Sequence, residues 1–343
     1  MVPRKRGRRV SRRPGATGRL SAYWPNLRRG GSAVKYRILF LVILIAIAWH
    51  NLDPAAVLDH LDPTVLISMA AAQPALVLSF LFVGARLAVI LRQPVRNVPV
   101  VTAATLLSQA LNLVIPGRLS ELLKVTYLRA QLDIPNARTF AGVFVERVMD
   151  LALLGLMALA TLSMIKNEWA TTISIGLLVA ALVAVVVFLW LAPRIAALLE
   201  SKGWRRLAQA IGNLHFELGR MLTWRTLAGA AALGTLAWAC SLLSIYAYLD
   251  VALEQPISIE LALWVLIMAS VGGSIPALPG GFGAYEAAVV FVLTRAGVGF
   301  EQALVTSLGL HISQYVLSGI VALFLLIGQR TGVRQLLRDL LAR

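Results

Sequence analysis

The stretch "NLVIPGRLSELLK", residues 112–124, closes a long apolar run and turns charged with no polar loop between. Pro116 lacks the amide hydrogen a helix interior needs, and Gly117 adds backbone freedom, so a helix entering from residue 99 breaks here. Arg118, Glu121 and Lys124 come within the next eight positions. Either a membrane span has run out into water, or the chain turns inside the bilayer.

The rest of the chain separates these two readings. Its 343 residues are 59% hydrophobic and 14% charged, with a mean hydropathy of +0.78, whereas soluble proteins average about 25% charged residues. Runs approaching or exceeding about 18 apolar residues recur. The composition predicts an all-α polytopic membrane protein, with about eight transmembrane helices plus re-entrant or broken segments. Predicted spans cover 36–51, 65–92, 99–116, 139–165, 169–191, 227–249, 259–278, 284–298 and 302–328. The lone cysteine, Cys240, lies in an apolar run and reads as a small packing residue.

Net charge is +16, and its distribution argues against a nucleic-acid partner. Residues 1–37 carry twelve of the 32 Lys and Arg, and the first acidic residue is Asp53. Residues 1–35 therefore read as a disordered, basic cytoplasmic tail drawn to anionic headgroups. Residues 36–330 form the membrane domain, and 331–343 a basic amphipathic tail. The loops alternate in charge. Segment 92–98 has two Arg and no acid, and 192–226 has six basic residues against Glu200 and Glu217, whereas 50–64 and 250–260 are acidic. If 99–116 crossed fully, 192–226 would fall outside and 250–260 inside, against the positive-inside rule. A re-entrant hairpin broken at Pro116-Gly117 and returning through 118–130 puts every loop on its expected side, with both termini cytoplasmic. The stretch "APRIAALLESKGWRRLAQAI", from residue 192, reads as a helix on the cytoplasmic membrane surface.

"GGSIPALPGGFGAYE", residues 272–286, repeats the theme. Pro279, Gly280 and Gly281 interrupt an apolar run, and Glu286 follows as Glu121 follows the first break. Paired interruptions in two halves point to an inverted repeat with a binding site at the breaks. The span "TFAGVFVERVMDLALLGLMALATLSMI" carries Glu146, Arg147 and Asp150 at membrane depth. A lipid-facing charge there costs at least about 2.5–3.5 kcal/mol, so the cluster faces the protein interior. Two acids against one base call for another cation, which Arg118 or Lys124 can supply. A structural salt bridge and a headgroup or proton site fit equally. Arg86 reads as snorkelling to the surface, and His311, Gln314 and Tyr315 as a polar packing stripe on the last span. Ser108 and Asn112 precede the first break and could pack or bind. No phosphate-binding loop, metal-ligand cluster or catalytic constellation is present, so neither a cofactor nor enzymatic activity is expected.

Three blocks together, "NLVIPGRLSELLKVTYL", "FAGVFVERVMDLALL" and "IPALPGGFGAYEAAVVFVLTRAGV", resemble the signature regions of the lysylphosphatidylglycerol synthase/flippase transmembrane family. The resemblance covers roughly residues 36–330. It implies functional roles for Asn112, Pro116, Gly117, Arg118, Glu121 and Tyr127 in the first block. It implies the same for Glu146, Arg147 and Asp150 in the second, and for Pro279, Gly280, Gly281, Gly283 and Glu286 in the third. Ser120 and Lys124 depart from the pattern, in which Gly precedes the Glu and Arg occupies the next turn. His311 stands where Arg is common. The soluble aminoacyl-transfer domain of the two-part synthases is not seen, so lysyl transfer from tRNA is not expected. The resemblance implies an inner-membrane protein moving a phospholipid, aminoacylated or not, or a polyprenyl-linked lipid between leaflets. Substrate contacts would come from Arg118, Lys124, Glu121, Glu286, Asp150 and His311. The alternative is a non-transporting scaffold or regulator of a cell-envelope lipid enzyme. A second copy of the chain is a further candidate partner.

Overall fold

The computed structural model describes residues 63–113, 120–161, 168–253, 255–275 and 279–328. The basic N-terminal tail, the predicted span 36–51, the break residues Pro116, Gly117 and Arg118, and the C-terminal tail lie outside the described residues. Helices α1 (Pro63–Ile90), α2 (Val98–Leu111), α3 (Ser120–Leu132) and α4 (Asn136–Thr161) come first. Then follow α5 (Glu168–Ser201), α6 (Arg205–Met221) and α7 (Trp224–Ala252). The last are α8 (Ile259–Ser274), α9 (Ala284–Arg295) and α10 (Phe300–Gly328). No strand occurs among the described residues. The protein is an all-α membrane protein, and Pro63–Ile90, Trp224–Ala252 and Phe300–Leu325 are each long and apolar enough to cross a bilayer.

Besides α6, four helices are too short to cross alone. At 1.5 Å per residue, α2, α3, α8 and α9 reach only about 18–24 Å, below the roughly 30 Å of a hydrocarbon core. They pack in two pairs, α2 on α3 and α8 on α9. The predicted spans 259–278 and 284–298 are thus corrected to short helices, and 99–116, expected as one arm of a hairpin, is short as well. The segment after the first break, Ser120–Leu132, is a helix that packs on α2. Replacing two spans by a second hairpin leaves the charge parity of the loops unchanged.

Order and length now repeat: long, short, short, long in α1–α4, and again in α7–α10. Helices α1 and α7 run antiparallel along each other. Gly229 lies beside Val89, Gly234 beside Arg86, Ser79 shares a hydrogen bond with Ser241 at 2.8 Å, and Ser244 Oγ donates to the Ala72 carbonyl at 2.9 Å. Because α2 starts where α1 ends, and α8 where α7 ends, the two hairpins enter from opposite ends. The end of α2 meets the second break: the Gly280 amide donates to the Asn112 carbonyl at 2.8 Å. That contact gives the inverted arrangement its centre.

Each hairpin has its own core. Leu107, Leu128, Val101 and Tyr127 belong to one buried cluster, with Leu87 of α1 and Leu218 of α6. Trp264, Ile267, Val289 and Leu293 belong to another, with Tyr248 and Leu249 of α7. Close approach sets the geometry of the second pair. A Cβ at Gly272 would stand 2.5 Å from the Ala284 carbonyl oxygen. Ser258 caps α8 by accepting the Leu261 amide at 3.1 Å. The surface helix expected from residue 192 is divided. Residues up to Ser201 continue α5, Gly203 turns at φ 78°, and α6 forms the separate amphipathic helix. Helix α6 buries Ala208, Leu218 and Met221 and is tied to α4 by Arg138 and Glu217 at 2.9 Å. Helix α5 exposes Leu182, Val183, Val186 and Trp190, an apolar face suited to lipid.

Candidate functional site

Six charged side chains close into a ring between the first hairpin, α1 and α4. The three-residue spacing of Glu121 and Lys124 puts both on one face of α3, and the four-residue spacing does the same for Glu146 and Asp150 on α4. Arg86 reaches in from α1, where Gly234 of α7 leaves room for its guanidinium. Arg86 meets Asp150 at 2.6 Å and Glu146 at 3.4 Å. Glu146 faces Lys124 at 3.9 Å, and Lys124 meets Glu121 at 3.0 Å. Glu121 accepts from Arg147 at 2.5 Å, and Arg147 stands 3.9 Å from Asp150, which completes the circuit. Every acid touches two bases and every base two acids, so formal charge cancels where an uncompensated ion would be costly. Trp238 of α7 adds an indole hydrogen bond to Asp150 at 3.1 Å.

The ring is unevenly covered. Side-chain exposure is 3% for Arg86, 4% for Lys124 and 5% for Glu146, but 49% for Arg147. Lys124, expected to meet a lipid phosphate, is held by two carboxylates beneath the surface. Arg147 is the member open to a ligand.

A second polar cluster surrounds the second break. Gly280, Gly281 and Gly283 have φ of 72°, 84° and 85°, a left-handed path suited to glycine. The Glu286 carboxylate accepts the Gly283 amide at 2.6 Å, capping the start of α9. Its other oxygen meets His311 Nδ1 of α10 at 2.6 Å. Tyr285 stacks on the imidazole with ring centres 3.9 Å apart, and the Phe282 ring lies 4.5 Å away. Tyr315 donates its hydroxyl hydrogen to the Gly280 carbonyl at 2.9 Å, and Gln314 donates to the Tyr285 hydroxyl at 2.9 Å.

Two adjoining cavities connect these clusters. One, of about 240 Å³, is walled by Arg86, Lys124 and Glu146 together with Ser79 and Ser241. The other, of about 460 Å³, runs from Glu121, Arg147 and Asp150 to Asn112, Gly280 and His311. Ser108, Gln109, Ser270 and Gln314 line both. The larger falls within the roughly 300–1,000 Å³ of small-molecule sites, with polar groups convergent on it from both hairpins.

Comparison with known proteins gives this architecture a family. Residues 34–322 match the family described as lysylphosphatidylglycerol synthase TM region. The chain belongs to that family. The lysylphosphatidylglycerol synthase TM match covers both hairpins, the ring and the cavities. A stretch of 150 residues is 31% identical to "Glycosyltransferase AglD" of Haloferax volcanii, covering 40% of this chain and 24% of that protein. The chain thus spans about a quarter of the length of that relative. No solved structure gives a significant match.

Within this lysylphosphatidylglycerol synthase TM fold, the structure gathers Asn112, Glu121, Lys124, Glu146, Arg147, Asp150, Gly280 and His311 around the cavities. Glu286 reaches that space through His311, and Gly281 backs onto Gly273 rather than the cavity, its Cβ position lying 3.1 Å from the Gly273 Cα. Pro279 begins the turn that carries Gly280. Tyr127 packs in the apolar cluster beneath the first hairpin and does not line either cavity. Arg86, expected to snorkel, is the buried cation that Glu146 and Asp150 needed. The shortage of positive charge on α4 was its sequence signal, since "GARLAVILR" offers two arginines and only Arg92 is needed at the surface. Trp238 and Gln109 carry no comparable signal, because neither is charged and each shares its helix with other polar residues.

Proposed function

We propose that the protein moves a lipid with a phosphate-bearing headgroup between the leaflets of a bacterial-type inner membrane, with both termini cytoplasmic. The carrying observation is Arg147, half exposed on a polar cavity where two oppositely inserted hairpins meet. An arginine fork suits a phosphate and forms charge-assisted hydrogen bonds with it. Glu121 and Asp150 stand beside it to receive an ammonium, as on an aminoacylated phospholipid. Broken helices meeting near mid-membrane are what a transporter needs to pass a headgroup while acyl or polyprenyl tails stay in lipid. The family and the partial likeness to a named glycosyltransferase support a lipid-related role, and keep aminoacylated phospholipid and sugar-bearing polyprenyl lipid both as substrate classes.

The ring's self-neutralised charge favours a second reading, in which the protein is a rigid membrane partner of a lipid enzyme. Translocation of fluorescent and aminoacylated lipids in proteoliposomes separates the two. Arg147→Gln removes the open cation and leaves Arg86 and Lys124 in place. It should retain expression and monodispersity while lowering translocation at least about tenfold, the loss of one charged contact of about 1.5–3 kcal/mol. Unchanged translocation by Arg147→Gln would overturn the headgroup assignment, and no movement of any lipid class by the wild type would favour the scaffold.

A further inference from the structure

We propose that the His311–Glu286 pair is a proton-binding site that couples lipid movement to a proton gradient, a reading that rests on the transport function above. Both oxygens of Glu286 are engaged, one by the Gly283 amide and one by His311 Nδ1. In its ionised form the Glu286 carboxylate only accepts hydrogen bonds, and in that form Nδ1 carries its hydrogen and donates. The proton that comes and goes is therefore the one on Nε2. Without it the pair has a net negative charge inside the protein; with it the pair is electroneutral. Histidine is the side chain whose charge changes near neutral pH.

The surroundings make that proton consequential. His311 is 2% exposed yet contributes to the wall of the larger cavity, so the cavity is its route to water. Phe282, Tyr285 and Tyr315 place their ring centres 4.5, 3.9 and 5.5 Å from that of the imidazole and enclose it in aromatic surface. One of these rings holds the break itself. Tyr315 bonds the Gly280 carbonyl, and Gly280 bonds Asn112 on the opposite hairpin. Charge at His311 thus acts one side chain away from the contact that joins the two hairpins.

The helices packed on α10 bring few other charges. Helix α2 has no titratable residue, and the only charged residue of α1 is Arg86, already paired in the ring. Helix α7 presents Tyr248, whose hydroxyl lies against Gly309, and α9 presents Tyr285 and Glu286. Across the cavity stand Glu121, Arg147 and Asp150, whose charges cancel within the ring. The pair's net charge is left to the proton on His311. A headgroup entering beside Arg147 and a proton at Nε2 share one cavity, and each alters the charge the other meets.

Two measurements on the full chain test this. In proteoliposomes with a trapped pH dye, an imposed pH gradient should change wild-type lipid translocation several-fold and should carry protons with the lipid. His311→Gln should abolish the proton flux. Translocation that proceeds at one rate with and without the gradient overturns the coupling. Absence of any lipid movement overturns the transport reading instead. Nitrogen-15 NMR of the imidazole, with the three other histidines replaced by glutamine, reads the site without reference to transport. Nε2 should gain and lose its proton over the pH range in which lipid is carried while Nδ1 keeps its own, and Glu286→Gln should alter that exchange. A His311 Nε2 that keeps one state across this range overturns the proton site whether or not lipid moves.

Discussion

At the scale of residues, the ring explains how six charges persist in a membrane protein. Arg86 is its most demanding member, since it is buried and serves both Glu146 and Asp150. Arg86→Met removes one base and leaves two carboxylates with one cation each. Breaking a buried pair from one side costs about 3–5 kcal/mol, most of it from the stranded charge. The thermal midpoint of the purified variant should fall steeply, and Arg86→Lys, which keeps the charge but loses the fork to Asp150, should fall less. A midpoint for Arg86→Met equal to wild type would show that the ring does not hold the fold. The sequence disclosed the need for this residue but not its identity. Spacing along α4 reported an unbalanced charge, and only the antiparallel approach of α7, opened at Gly234, determined which arginine would answer it. Tyr127 shows the opposite case, since a place in a motif block said nothing about which face of a 13-residue helix turns inward.

At the scale of elements, the second short-helix pair depends on close backbone approach at glycine. Gly272 of α8 faces α9, where an added Cβ would lie 2.5 Å from the Ala284 carbonyl oxygen and 2.9 Å from the Ala288 Cβ. The nearest atom is backbone and cannot rotate away, so Gly272→Ala must spread the hairpin, at an overpacking cost of about 1–3 kcal/mol. Gly319 of α10 meets nothing within 4 Å. Gly319→Ala should therefore be neutral or gain up to about 1 kcal/mol of helix propensity. Thermal midpoints that drop for the first and hold or rise for the second confirm the assignment; equal behaviour would sink it. Proline and glycine made both breaks legible in the sequence. The second hairpin was nevertheless read as two spans. Hydropathy cannot tell a 16-residue and a 12-residue helix joined by a turn from two crossings, and loop parity is the same for both.

At the scale of the whole molecule, the antiparallel packing of α1 on α7 fixes which loops share a side. Arg92 donates a hydrogen bond to the Arg220 carbonyl, so the loop after α1 and the one after α6 lie together. The loop between α7 and α8 is at the other end of α7. We propose, on its excess of Lys and Arg, that the first group faces the cytoplasm. In a background with Cys240→Ser, single cysteines at Val95 and Trp204 should react with a membrane-impermeant maleimide only after the cytoplasmic face is opened. A cysteine at Gln255 should react from outside in intact cells. All three positions are exposed in the fold, so failure to label would reflect sidedness and not burial. Labelling of Val95 and Gln255 from the same side would remove the opposed entry of the two hairpins. Without that opposition, the Asn112–Gly280 contact would no longer join segments entered from the two faces, and alternating access around Arg147 would lose its structural basis.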